Sequence, residues 1–292
     1  MYKQIYLPLL LSFFMFSSSA QNTVLWKVTD THSSKTSYIL GTYHLIGSGF
    51  IDSYPVIKEK INAADVVITE TKMERVKARE YYNSRPSSER WGLVLSTDDM
   101  DYIKEIFKHG KIDIEKFTPG ELYVKLLAFY PKYKCNSIKN EDTLSMDEYI
   151  QYLGNQDHKK AYYFETDSFQ LEKITAITNV YDWAFFKKNI PAVLKKYRSK
   201  DIDPEQCQLA NQYASFNLDY KFSTTWSASL KGVVGNSELI KKRDDDWMKQ
   251  IPSLLENNNC FIAVGLLHLY FDCGLLEQLK KRGYLIEEVK MK

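Results

Sequence analysis

Phe261-Ile262-Ala263-Val264-Gly265-Leu266-Leu267-His268 closes a short apolar run on a glycine and sets a histidine three residues later. The same figure stands near the other end of the chain, as Tyr38-Ile39-Leu40-Gly41-Thr42-Tyr43-His44. The two continue alike. After Gly41 come a helix-like segment, Tyr54 to Ala63, and an apolar strand, Val66-Val67-Ile68-Thr69-Glu70. After Gly265 come a helix-like segment, Gly274 to Lys281, and an apolar strand, Tyr284-Leu285-Ile286. This repeat of strand, GxxH, helix and strand predicts an α/β fold with a central, mostly parallel sheet.

Gly41 and Gly265 each end a strand, where a positive φ or a ligand close to the backbone favours glycine. In open α/β sheets, ligands bind beyond the carboxyl ends of the strands. His44 and His268 are therefore aimed at that crevice, and they meet if their strands are neighbours. Glu70 and Glu165 end the runs Val66 to Thr69 and Tyr162-Tyr163-Phe164 and fall on the same rim. A carboxylate beside two imidazoles supports two chemistries. It completes a divalent-metal site that activates water, or it pairs with a histidine as a metal-free general base. The plainer roles are a hydrogen-bonded structural histidine and a carboxylate that caps the next helix; the second suits Glu165, ahead of Thr166-Asp167-Ser168. Arg243, in Lys241-Lys242-Arg243-Asp244-Asp245-Asp246-Trp247-Met248, could clamp a carboxylate or an oxyanion. Its spacing alone suits a salt-bridged surface arginine, and the three aspartates point in different directions. His32, His109 and His158 lie in polar or turn-like segments and are expected to be exposed.

The chain has 292 residues, 44% apolar, 26% charged and 14% aromatic, with net charge +2. That composition is globular, and the charge balance leaves no footprint for nucleic acid. Lys3, the apolar run Ile5 to Phe16 and Ser18-Ser19-Ala20 have the layout of a signal peptide cut after Ala20. The apolar run is short of the roughly 20 residues that span a bilayer. A secreted or periplasmic single domain over 21–292 is expected. Cys135, Cys207, Cys260 and Cys273 then have three possible pairings. A Cys260–Cys273 bridge could brace the second GxxH loop, or both could be small buried hydrophobes.

Val24 to Val28 and Ser37 to Leu40 flank a polar turn, Asp30 to Thr36, and predict a hairpin. Ser53 is a candidate cap for the next helix, with Pro55 just inside it. Between the repeats the pattern is mostly helical, a middle insertion. Thr118-Pro119-Gly120-Glu121 and Ser145-Met146-Asp147-Glu148 are capping boxes. Helices are predicted near Met73–Tyr82, Thr97–Gly110, Phe169–Tyr197, Asp203–Tyr213 and Ser237–Leu255, with Tyr162-Tyr163-Phe164 a third buried strand.

Together, Gly41-Thr42-Tyr43-His44, the strand ending in Glu70, Gly265-Leu266-Leu267-His268 and the closing Gly274-Leu275-Leu276 to Arg282-Gly283-Tyr284 resemble the TraB/GumN family, related to the TIKI proteases. Ser145-Met146-Asp147, Phe164-Glu165-Thr166 and Arg243-Asp244 with Trp247-Met248 are similar to family blocks too. The resemblance implies an erythromycin-esterase/ChaN-like fold with convergent GxxH motifs. For the TIKI branch it also implies metal-dependent peptide hydrolysis with manganese or cobalt. His44, His268 and Glu70 would then be metal ligands or bases, and Arg243 would orient the substrate. Asp244 stands where many relatives have asparagine. The expected activity is hydrolysis of a peptide or other small substrate. The alternatives are a non-catalytic peptide or haem binder and a metal-free esterase with a His–Glu base.

Overall fold

The computed structural model describes residues 22–31, 33, 35–72, 74–87, 90–138, 144–166, 182–224 and 237–291. The predicted signal segment, His32 and the first half of the Phe169–Tyr197 helix lie outside them. A six-stranded sheet runs β4-β3-β5-β2-β1-β6. Its strands are β1 (Leu25–Thr29), β2 (Thr36–Thr42), β3 (Val66–Thr69), β4 (Lys160–Tyr163), β5 (Cys260–Gly265) and β6 (Leu285–Glu288). β4, β3, β5 and β2 are mutually parallel, and β1 is antiparallel to both β2 and β6. The fold is the mixed α/β arrangement expected, and the two GxxH strands are neighbours.

Burial explains the pattern. β5 and β3 have neighbours on both sides and are covered on both faces, so every residue in them is buried. A parallel strand so placed reads as an unbroken apolar run. β4 is different. Tyr162-Tyr163-Phe164 reads as a buried strand, yet the strand spans Lys160–Tyr163 at the sheet edge, exposed at one end and half-buried at the other. The closing strand of the second repeat also departs from the pattern: β6 leaves β5 and pairs with β1 across the sheet.

The helices are α1 (Ser48–Ser53), α2 (Pro55–Ala63), α3 (Arg75–Asn83), α4 (Trp91–Val94), α5 (Thr97–Phe107), α6 (Pro119–Lys134), α7 (Met146–Gln156), α8 (Trp183–Arg198), α9 (Pro204–Ser215), α10 (Ser237–Trp247), α11 (Ile251–Asn257) and α12 (Leu275–Lys281). Both capping boxes form, at Thr118/Glu121 and Ser145/Glu148. Ser53 caps nothing: it ends α1, and its hydroxyl bonds the Gly49 carbonyl while Tyr54 precedes α2. The predicted helix Ser237–Leu255 breaks at 248–250, and Pro252 sits in the first turn of α11, where its missing N–H costs nothing.

Two apolar cores result, one around the sheet and one within the helical insertion from Tyr82 to Ala210. Tyr43 and Ile46, on either side of the first GxxH histidine, pack against both. A disulfide joins Cys135, at the end of α6, to Cys207 in α9, while Cys260 and Cys273 are free thiols. Of the two readings of Cys260 and Cys273, the bridge is not formed: Cys260 is a buried thiol and Cys273 a half-buried one. Closing a loop of this length stabilises by about 4 kcal/mol in the chain-entropy picture.

Neither GxxH glycine has a positive φ. Space is what excludes a side chain, and for different reasons. A Cβ on Gly41 would stand 2.8 Å from Leu266 Cδ1 and 2.9 Å from Leu269 Cδ1. On Gly265 it would meet His44 Nε2 at 3.1 Å and Glu70 Oε1 at 3.2 Å. Gly41→Ala should cost stability, about 1–3 kcal/mol from overpacking, measured by denaturant unfolding. Gly265→Ala should push the solvent-exposed His44 ring off its bond to Asp147, and so cost function more than stability. Equal stability losses in the two variants would refute this division.

Candidate active site at the two GxxH loops

The parallel register lines up the functional side chains. Thr42 lies opposite Gly265 and Thr69 opposite both Ala263 and Tyr163. The β3–β4 ladder continues past the strands, with Glu165 N–H donating to the Glu70 carbonyl. Glu165, Glu70, Gly265 and Thr42 thus stand across the carboxyl ends of four strands.

His44 leaves the end of β2 and meets a residue not singled out as a site residue by the sequence. Its Nδ1 lies 2.7 Å from Asp147 Oδ2, and Thr42 Oγ1 donates to Asp147 Oδ1 at 2.7 Å. Asp147 is buried in the first turn of α7, whose start is tied to the GxxH loop by the Met146 N–H to the Ile46 carbonyl. A carboxylate only accepts, so Nδ1 carries the proton and Nε2 is presented to the cleft. The charge of Asp147 raises the His44 pKa, to about 9, although the rim partly desolvates the ring. The His44 ring is 61% exposed, so water screens part of that pull.

His268 is held quite differently. Its Nδ1 is 2.5 Å from Asp244 Oδ1, and its Nε2 is 3.1 Å from Arg243 Nη1. Arginine has donors only, so Nε2 accepts and the ring proton faces Asp244. Arg243 also donates to Glu165 through Nε (2.8 Å) and Nη2 (3.0 Å), and to Glu70 Oε2 through Nη2 (2.5 Å). Its guanidinium sits 4.7 Å over the Trp247 ring, whose Nε1 donates to Glu165 Oε1 at 2.9 Å. Arg243 and Trp247 are one helical turn apart on α10 and face the sheet, with Asp244 between them. Far from being a surface residue, Arg243 is the counter-ion at the centre of the rim; Asp245 and Asp246, by contrast, pair with lysines at the surface.

Burial alone would raise Glu70. The charges of His268 and His44 when protonated, the Arg243 guanidinium and the Gly265 N–H outweigh it and bring its pKa down to about 2. Asp244 goes the other way, to about 6, because burial outweighs His268 and Arg243. An asparagine at that position would accept the same Nδ1–H with no charge to bury.

A divalent ion of the kind the resemblance implies would need His44 Nε2, His268 Nε2 and Glu70 together. Glu70 Oε1 and His268 Nε2 are 3.7 Å apart. The second of these accepts from Arg243, and the two Glu70 oxygens accept from Gly265 and Arg243. Only His44 Nε2 is uncommitted. As arranged, the donors do not fit a metal without displacing the guanidinium, and among the described residues no group of three His, Cys, Asp or Glu is spaced for one.

The TraB/PrgY/gumN family profile matches residues 24–288, nearly the whole chain. The chain belongs to the TraB/PrgY/gumN family. No match was found among curated proteins or among solved structures. His44, Glu70, Glu165 and His268, expected on the rim, come together in this family member, and Arg243, a candidate whose spacing suited the surface, joins them. Asp147, Asp244 and Thr42 were missed as partners. Ser145-Met146-Asp147 was a visible block, but an acid in a helix's first turn reads as a dipole partner until something else is seen to bond it. His109 and His158 are exposed, as expected.

Proposed function

We propose that this protein is a hydrolase of carbonyl compounds, a peptide or another small substrate, with His44 as general base. The observation that carries the reading is the free Nε2 of His44 beside Glu70 Oε1, over the gap that Gly265 leaves open. In the deprotonated form of His44, which gains population as pH approaches about 9, a water between these two acceptors would direct a hydrogen to each and keep its lone pairs for attack. As the new O–C bond forms, the proton passes to His44 Nε2 and from there to the leaving group. Asp147 fixes the tautomer, and Glu70, locked by Arg243 and Gly265, stays ionised.

The second reading is the metal-dependent peptidase implied by the TIKI relationship. The 3.7 Å between Glu70 Oε1 and His268 Nε2 supports it only with the Arg243 guanidinium displaced from both. In that reading His44, His268 and Glu70 would hold manganese or cobalt, and the ion would supply an activated water. Secretion or a periplasmic location goes with either reading, and the Cys135–Cys207 bridge supports it.

Metal analysis and an ester-and-peptide hydrolysis screen of wild type beside His44→Ala/His268→Ala test the proposal. Turnover without bound metal, unaffected by chelator and lost in the variant, is the expected result. Manganese or cobalt near one per chain, with activity dependent on it, would replace it by the second reading. No turnover with or without metal would overturn both and favour a binding protein.

A further inference from the structure

Tyr213 belongs to neither GxxH loop, yet its hydroxyl reaches both segments that make the His44–Asp147 pair. It donates to the Gly41 carbonyl at 2.8 Å, three residues before His44. Met146 Sδ, on the residue before Asp147, lies 3.4 Å from the same oxygen. The Tyr213 ring stacks on Tyr43, adjacent to His44, at 5.6 Å and 30° between planes. The side chain is fully buried, and Phe50 packs on its ring at 5.2 Å.

The helix that carries Tyr213 is itself fixed. Cys207, six residues earlier on α9, is disulfide-bonded to Cys135 at the end of α6, and both are buried. One hydroxyl, set by a helix anchored in the insertion, thus spans the strand end behind His44 and the helix start behind Asp147.

We propose that Tyr213 is a positioning residue for the His44–Asp147 pair. It touches neither partner. It sets their separation by tying the Gly41 carbonyl and the Met146 side chain to one point, so the insertion, and not the sheet alone, determines where His44 Nε2 stands. This rests on the reading of His44 as the base, but the geometry can be measured without catalysis.

The test compares Tyr213→Phe with Tyr197→Phe. Tyr197 is an equally apt control: it is buried, donates to the Leu126 carbonyl at 2.7 Å, and lies in the core of the insertion. Both changes remove one hydroxyl and keep the ring. The first readout is the low-field proton resonance of His44 Nδ1–H, assigned by its loss in His44→Gln. The second is kcat and KM for hydrolysis. Tyr213→Phe should shift or broaden the resonance and lower kcat roughly tenfold with KM nearly unchanged, the signature of a misplaced group. Tyr197→Phe should lower stability by a similar amount and alter neither readout. A wild-type resonance and kcat in Tyr213→Phe, or equal changes in both variants, would overturn the proposal. A shifted resonance in a protein without turnover would uphold the positioning and reject only the hydrolase reading.

Discussion

Arg243→Ala should lose about 3–5 kcal/mol of unfolding free energy at pH 7.5, the cost of removing one partner from a buried ionic cluster. Glu70 and Glu165 are each only 9% exposed and share this single guanidinium. Without it, two carboxylates face each other across adjacent strand ends, opposed by the Trp247 and Gly265 N–H groups and, when protonated, by His268 and His44. Lysine would not rescue, because a point charge cannot reproduce a fork that serves two carboxylates and an imidazole.

The deficit should also depend on pH. In the wild type the depressed pKa of Glu70, about 2, contributes stability that is complete above the unfolded value near 4.5 and is lost as pH falls toward 2. In the variant Glu70 loses the guanidinium that lowers its pKa and titrates upward instead. It then takes a proton on mild acidification, so the gap between variant and wild type narrows as pH drops below about 5. Denaturant unfolding at a series of pH values decides the matter. A loss under about 1 kcal/mol at pH 7.5, or one that does not vary with pH, would show that Arg243 is not the counter-ion.

Hydrolysis by His44→Gln should fall by about 10²–10⁴ in kcat/KM at every pH, the usual worth of a positioned general base, with the fold kept. The wild-type rate should rise with pH along an alkaline limb, since the deprotonated form of His44 gains population as pH approaches about 9. Asp147→Asn preserves the shape of the pair and removes the charge that raises His44. Its limb should therefore move down toward the ordinary histidine value near 6.5, with a lower plateau because a less basic imidazole abstracts a proton less well. A limb that stays in place in Asp147→Asn would mean that His44 is not the titrating base.

Sequence alone was enough for the α/β class with its mostly parallel sheet, and for two histidines and two glutamates at the ends of its strands. The two apolar runs ending in glycine, with histidine three residues on, encode neighbouring parallel strands, because only a strand covered on both faces is apolar throughout. Strand ends in such a sheet are where side chains converge, and that placed His44, His268, Glu70 and Glu165 together. The sequence could not divide the labour between the histidines. His44 and His268 have the same local motif, and only the fold brings Asp147 to one and Asp244 with Arg243 to the other, across 103 and about 25 residues of chain. Likewise Arg243 sits among lysines and aspartates that do face water, and nothing in its spacing distinguishes it from them. Its inward direction follows from the phase of α10 against the strand ends, and its charge is tolerated there because Glu70 and Glu165 arrive from two other strands. Partners so remote in sequence leave no local trace; they exist only where packing closes the sheet's rim.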